Sequence, residues 1–146
     1  MAPNAFIFIG RSGCGKGTQA DLLRKEFSKK GFGDTLYVET GSEFREFIKD
    51  ADYSNVRSNE IYESAERQPD FLACYMWTQF MIRDYKKGMH VIFDGTPRSI
   101  AEAMILSTAF SFYGFEKVFV INLNVSRGWS EHHLLSRGRS DDVNMW

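Results

Sequence analysis

The chain has 146 residues, the size of one domain, with 43% hydrophobic and 25% charged residues and a net charge of −1. A charge this close to zero gives no electrostatic reason to expect a nucleic acid or an anionic membrane as a partner. Two cysteines cannot build a four-ligand zinc site alone, and no signal segment or membrane span is recognisable, so we expect a cytoplasmic protein.

Apolar runs and amphipathic segments alternate along the chain. The predicted strands cover residues 6–9, 35–40, 89–94 and 117–123. The predicted helices cover residues 16–30, a segment after a Ser42 N-cap, and residues 70–87, 100–113 and 126–136. The Lys86-Lys87-Gly88 triplet predicts the end of the third of these helices.

Strands and helices that alternate at this spacing predict an α/β fold with a parallel sheet. Ligands bind at the carboxyl ends of the strands in such sheets. We therefore expect function in the turns after Ile9, Glu39, Asp94 and Leu123. The polar segment 50–68 interrupts the alternation and predicts a small mobile insertion with some helix.

The first of these turns, GRSGCGKGTQ (residues 10–19), predicts a phosphate-binding loop. Its glycines allow backbone N–H groups to face a phosphate, and the helix that follows adds its positive end. Lys16 supplies a positive charge, and Thr18 supplies a hydroxyl group. The usual pattern places Ser or Thr directly after the lysine, whereas Gly17 stands there in this chain.

The segment Gly15-Lys16-Gly17-Thr18-Gln19 resembles the loop of adenylate kinases and related nucleoside monophosphate kinases. Three further segments resemble the same family: Thr40 to Arg45, Asp94-Gly95-Thr96-Pro97-Arg98, and Arg137 to Asp142. The second of them has Thr96 where the family usually has Phe. The resemblance implies a P-loop three-layer sandwich of four recognisable parallel strands, with helices on both faces, and transfer of a phosphoryl group from ATP to AMP with Mg²⁺.

The resemblance also implies roles for individual residues. ATP would contact Gly13, Cys14, Gly15, Lys16, Gly17, Thr18 and Arg137. The acceptor would contact Thr40, Arg45, Gln68, Gly95, Arg98, Glu102 and Arg139. Catalysis would depend on Lys16, Arg98, Arg137 and Arg139, and Mg²⁺ on Thr18 and on Asp94 through water. Residues 50–68 would form the flap over the monophosphate, and residues 136–142 a minimal lid.

Glu102 leaves the acceptor base open. It occupies the place where adenylate kinases usually have a glutamine, whose amide both donates and accepts. An ionised carboxylate only accepts, which suits the adjacent N–H donors of guanine. Thr40 favours AMP, since related pyrimidine kinases tend to have alanine there. AMP is therefore the first expectation and GMP the alternative, unless Glu102 is only a surface residue of its helix.

Other functions remain open as well. The family continues into a helix with another arginine, a strand and a final helix, and these are missing after Trp146. A nucleotide-binding protein with little activity is therefore an alternative, and so is an ATPase that acts on water. We expect a monomer, although an exposed sheet edge near Phe119 and Trp146 would allow self-association. The three histidines and Cys14 are weak candidates for metal binding or reactivity.

Overall fold

The computed structural model describes residues 2–137. The strands are β1 (Asn4–Ile9), β2 (Thr35–Glu39), β3 (His90–Asp94) and β4 (Lys117–Asn122). The helices are α1 (Lys16–Lys30), α2 (Thr40–Phe47), α3 (Tyr53–Glu63), α4 (Asp70–Asp84), α5 (Ile100–Tyr113) and α6 (Arg127–Arg137). The predicted α/β alternation is confirmed.

The four strands are parallel and lie in the order β2-β3-β1-β4. Phe8 of β1 is in register with Asp94 of β3, and Ile9 of β1 with Asn122 of β4. All residues of β3 are buried, as expected for a central strand that is covered on both faces. The chain leaves β1 towards one edge of the sheet and leaves β3 towards the other. The crevice at the carboxyl ends of β1 and β3 is therefore the expected ligand site.

Helices cover both faces of the sheet because successive strand residues point to opposite sides. Val91 and Phe93 face one core, which includes Trp77 of α4 and Leu106 of α5. Ile92 faces the other side, where it packs with Phe8 and Ala20 of α1. This arrangement is the predicted three-layer sandwich.

Two helix boundaries differ from the prediction. Ser42 is not the N-cap of α2, because the helix begins directly after β2 with Glu39 as its N-cap, and the Ser42 hydroxyl donates to the Glu39 carbonyl at 2.8 Å. Helix α4 ends at Asp84 and not at residue 87, since Tyr85 already has extended geometry. Gly88, with φ at 91°, belongs to the turn before β3 and does not cap α4.

The polar insertion and the last strand also have defined places in the fold. The polar insertion contains α3, so the expectation of some helix there is confirmed. β4 lies at the sheet edge, and its residue Phe119 is 42% exposed while its ring stacks on Phe6. Trp146 lies outside the described residues. Between residues 2 and 137, none of the helices is both long and apolar enough to cross a bilayer.

Candidate functional site

A cleft of about 790 Å³ opens at the carboxyl ends of the strands. It joins the turns that follow β1, β2 and β3 with the insertion around α3. The predicted residues that line it are Gly13, Gly15, Lys16, Gly17, Thr18, Thr40, Arg45, Gln68, Asp94, Gly95, Arg98 and Glu102. The fold therefore brings together residues that are up to about ninety positions apart in the chain (Gly13 to Glu102).

The loop between β1 and α1 forms one end of the cleft and is closely packed from behind. A Cβ atom at Gly13, whose φ is 75°, would lie 2.5 Å from Cγ of Leu134 and 2.8 Å from the Ser130 carbonyl oxygen, so only glycine fits. Gly15 is the N-cap of α1 and provides no side-chain hydrogen bond to the first turn. The N–H groups at this helix end are therefore directed towards the cleft without a side-chain cap.

Lys16 folds over the same loop. Its Nζ atom donates to the carbonyl oxygens of Gly10 and Arg11 at 2.9 and 3.1 Å, and it lies 3.8 Å from Sγ of Cys14. Lysine is long and flexible enough to exchange these carbonyl contacts for a phosphate oxygen. The ammonium group is thus held at the loop where a phosphate would meet α1.

Asp94 ends β3 on the side of the sheet that faces α1. Its side chain is 8% exposed, and its Oδ2 atom accepts a hydrogen bond of 2.9 Å from the Tyr37 hydroxyl. Burial raises the pKa of Asp94, while the Tyr37 hydrogen bond and the charge of Lys16 act in the opposite direction. Burial and the neighbouring carboxylate of Asp94 raise the pKa of Tyr37. The phenol therefore stays protonated and acts as the donor.

Two arginines also line the cleft. Arg45 of α2 forms an ion pair of 3.2 Å with Glu39. Nε of Arg98 donates to the Gly95 carbonyl oxygen at 2.7 Å, so the guanidinium folds back over its own turn. A guanidinium offers five donors in one plane, which suits the oxygens of a phosphate.

Glu102 is buried, so the alternative of a surface residue is wrong. Its side chain is 1% exposed, and its Oε2 atom accepts from the Arg98 backbone N–H at 2.5 Å. Its own N–H donates to the hydroxyl of Ser99, the N-cap of α5, in the manner of a capping box. The Oε1 atom is buried and has no hydrogen-bond partner among the described residues. A buried acceptor without a donor is costly.

Next to Glu102, two hydroxyl groups lie on the cleft wall. Thr96 donates to Thr40 at 3.2 Å, and both side chains are buried. Thr96, which stands where the family usually has Phe, thus forms a polar contact on the cleft wall.

Gln68 ties the end of the insertion back to α3. Its amide accepts from the Ser58 hydroxyl at 3.0 Å and donates to the Ser58 carbonyl oxygen at 2.8 Å. A second tie runs from Arg67 to the Arg98 carbonyl oxygen at 3.1 Å. The exit of α3 is therefore coupled to the turn that carries Arg98.

One predicted site residue does not line the cleft, and the side chains of two others lie outside the described part of the structure. Cys14 is buried behind the loop, and its N–H donates to the Arg11 carbonyl oxygen, so it packs the loop and does not line the cleft. Arg137 is the last residue of α6, and its side chain lies outside the described part of the structure, as does Arg139.

Several cleft residues were missed by sequence reasoning. Tyr37 and Glu39 alternate on the face of β2 that looks towards α1, and this period of two is the signal that would have found them. His133, considered only as a weak metal candidate, also lines the cleft and stacks on Trp129 with ring centroids 5.0 Å apart. His90 is a core residue whose two ring nitrogens bond Asn4 N–H and the Phe32 carbonyl oxygen.

The chemistry of the cleft fits a magnesium–nucleotide complex. Mg²⁺ prefers oxygen ligands and usually keeps several waters, with one or two carboxylates and the substrate phosphates completing its shell. Asp94 and the exposed Thr18 hydroxyl offer such oxygens. Among residues 2–137 there is no group of three or more His, Cys, Asp or Glu side chains that could hold a metal ion without a nucleotide. The uncapped start of α1 suits the phosphates.

Comparison with known proteins agrees with this geometry. A family model described as an AAA domain matches residues 9–145. "Adenylate kinase 1" of Nostoc sp. is 31% identical over 138 residues, which are 94% of this chain and 71% of that protein. "Adenylate kinase 1" of Synechocystis sp. is 32% identical over 140 residues, which are 93% and 69% of the two chains.

A third relative is longer. "Adenylate kinase" of Desulfotalea psychrophila is 29% identical over 132 residues, which are 90% of this chain. The chain spans 55% of the length of that relative.

Proposed function

The chain belongs to the adenylate kinase family of ATP-dependent nucleoside monophosphate kinases, and on that premise we propose that it transfers the terminal phosphoryl group of ATP to AMP, giving two ADP. The observation that carries the proposal is the single cleft in which the phosphate loop, Asp94 and two arginines face one another. A site that only hydrolysed ATP would need no second set of phosphate-binding residues.

Each end of the cleft has its own task in this proposal. The loop and the start of α1 bind the phosphates of ATP, and Lys16 neutralises their charge. Arg45 and Arg98 bind the phosphate of the acceptor, and Thr40 lies beside its base. Arg137 and Arg139 would complete the charge around the transferred group. Mg²⁺, held by Thr18 and through water by Asp94, would supply charge neutralisation between the phosphates.

No side chain has to act as a nucleophile, because the acceptor phosphate oxygen attacks the terminal phosphorus directly. The protein contributes position and charge. The arginines exchange their present partners, Glu39 and the Gly95 carbonyl oxygen, for phosphate oxygens. The proposed flap, which includes α3, closes over the acceptor and keeps out water, which would otherwise take the phosphoryl group.

GMP is the second candidate acceptor, and Glu102 is the observation that favours it. Its unpartnered Oε1 atom would accept from the N1–H or amino group of guanine. Adenine offers its amino group to the same oxygen, but its N1 atom requires a donor that an ionised carboxylate lacks. Adenine would thus leave its N1 atom without a donor at a buried position, whereas guanine has no such acceptor at N1.

A coupled assay of nucleoside diphosphate formation tests the proposal. The chain is incubated with ATP, Mg²⁺ and, in separate reactions, AMP, GMP, CMP or UMP. We expect turnover with a purine monophosphate and far less with CMP and UMP. Tight ATP binding with no product from any of the four acceptors would overturn the proposal and favour a nucleotide-binding protein with little activity.

A further inference from the structure

Tyr37 is the one side chain of the described residues that hydrogen-bonds the Asp94 carboxylate, at 2.9 Å. The register of the sheet explains the contact. Tyr37 lies beside Ile92, and Glu39 lies beside Asp94, so all four side chains leave the same face of the sheet. The tyrosine is long enough to reach diagonally across two residues and meet Asp94.

The Tyr37 ring is fixed on both sides. The Arg24 guanidinium stacks over it at 5.3 Å from the ring centroid, and the ring packs on the cluster of Phe8, Ala20 and Ile92. With the ring held by these contacts, the Tyr37 hydroxyl points towards the end of β3. The packing of the ring therefore places the hydroxyl within hydrogen-bond distance of Asp94.

Gly17 lies next to the Tyr37–Asp94 pair on the side of the loop. A Cβ atom at Gly17 would lie 3.5 Å from Oδ2 of Asp94 and 3.7 Å from the Tyr37 hydroxyl. Both oxygens therefore lie directly over the residue that follows Lys16. These distances are ordinary van der Waals contacts, so the pair lies next to the start of α1.

Glu39 is the one carboxylate that the register places next to Asp94. It is directed to Arg45, with which it forms an ion pair of 3.2 Å. Tyr37 therefore bonds Asp94 while Arg45 neutralises Glu39. The two carboxylates thus have different partners. Glu39 is directed to Arg45, and of the two only Asp94 is directed at the phosphate loop.

We propose that Tyr37 is a positioning residue for the magnesium–nucleotide complex: its hydroxyl holds one oxygen of Asp94 against Gly17 and leaves the second oxygen to bind a water of the metal. The inference rests on the proposed function, since it requires the chain to bind ATP with Mg²⁺. Tyr37 itself contacts neither the metal nor the nucleotide in this proposal.

Calorimetric titration of ATP, once with Mg²⁺ and once with EDTA, tests the inference. The wild-type protein should bind ATP more tightly with Mg²⁺. Tyr37→Phe keeps the ring under Arg24 and removes only the hydroxyl. The factor by which Mg²⁺ tightens ATP binding should be about tenfold smaller in this variant than in wild type, as for other residues that orient metal ligands. The affinity for ATP in EDTA should be unchanged. Tyr53→Phe, a loss of hydroxyl at a residue that is 81% exposed, is the matched control and should behave like wild type.

A double-mutant cycle separates positioning from a general loss of packing. If Tyr37 acts through Asp94, then Tyr37→Phe combined with Asp94→Asn should lose no more of the Mg²⁺ gain than Asp94→Asn alone. Additive losses would overturn the inference, and so would a full Mg²⁺ gain in Tyr37→Phe while the wild type transfers phosphoryl groups. A wild-type protein that binds no ATP would instead overturn the proposed function, and the inference with it.

Discussion

At the scale of single residues, Glu102 has two tasks that compete for one carboxylate. Oε2 accepts from the Arg98 N–H and supports the start of α5, whereas Oε1 is buried without a partner among the described residues. The sequence predicts a helix from residue 100, and the structure places its N-cap at Ser99. The sequence does not predict the burial of Glu102, which depends on how α4 and α5 pack.

Exchange of Glu102 for glutamine tests its role in base selection. Glu102→Gln provides an amide that donates as well as accepts, so AMP should gain and GMP should lose a hydrogen bond. We expect the ratio of kcat/KM for AMP over GMP to rise by about tenfold. Asp84→Asn, a similar change of an acid at the far end of α4, is the control. An unchanged ratio would show that Glu102 only supports the helix.

The buried carboxylate of Asp94 should lower the free energy of unfolding while it serves the proposed metal site. Burial raises the pKa of Asp94 above its ordinary value, so the folded protein binds this proton more tightly than the unfolded chain does. Stability should therefore fall as the pH rises from about 4 through the raised pKa. Asparagine does not ionise and can still accept from Tyr37.

Asp94→Asn should consequently gain free energy of unfolding relative to wild type as the pH rises through that window, measured by urea unfolding without Mg²⁺. Its phosphoryl transfer at neutral pH should fall by about 100-fold, as for residues that orient a metal. Equal stability of the two proteins at all pH values would contradict the assigned cost of burial. Asp34→Asn, an exposed position, serves as the control.

At the scale of elements, α3 is attached to the molecule through few polar contacts. Gln68 makes both of its amide hydrogen bonds to Ser58, which is 1% exposed. The polar, weakly periodic sequence predicts an insertion with some helix, but it does not predict this attachment. The contact joins residues ten positions apart. It therefore depends on where the chain after α3 turns back onto the helix.

Loss of this attachment should loosen the proposed flap. Gln68→Ala removes about 1–2 kcal/mol of hydrogen bonding, so the amides of α3 should exchange hydrogen roughly tenfold faster. The amides of β1 and β3 should be unaffected. Asn59→Ala removes a contact to Glu63 within the same helix and is the control. If the amides of α3 exchange hydrogen at the same rate in Gln68→Ala as in wild type, then contacts other than the Gln68–Ser58 pair hold the flap.

The boundary of α4 illustrates why element ends are harder to predict than elements. Lys86, Lys87 and Gly88 have the composition of a helix end, and the same triplet type does end α1, where Gly31 adopts a left-handed conformation. In α4 the chain turns earlier, at Tyr85, whose ring packs against Tyr113 and Phe115. Tertiary contacts therefore decide the boundary, and local sequence does not.

At the scale of the whole molecule, the parallel sheet explains why the site could be predicted at all. The loop, Asp94 and Arg98 each follow a strand, and the order β2-β3-β1-β4 brings these strand ends together. The location of the site at these strand ends is thus predictable from the alternation, whereas the residue roles were predicted from the family resemblance. Tyr37 was missed because its contact with Asp94 requires knowledge of which strands are neighbours.

The central claim is that the cleft directs the phosphoryl group of ATP to a monophosphate and away from water. The most direct measurement is the ratio of nucleoside diphosphate to inorganic phosphate formed from terminally labelled ATP in the presence of AMP or GMP. The account predicts that labelled diphosphate greatly exceeds labelled phosphate with at least one of these acceptors. Release of phosphate as the main product, at the same rate with and without acceptor, would contradict it.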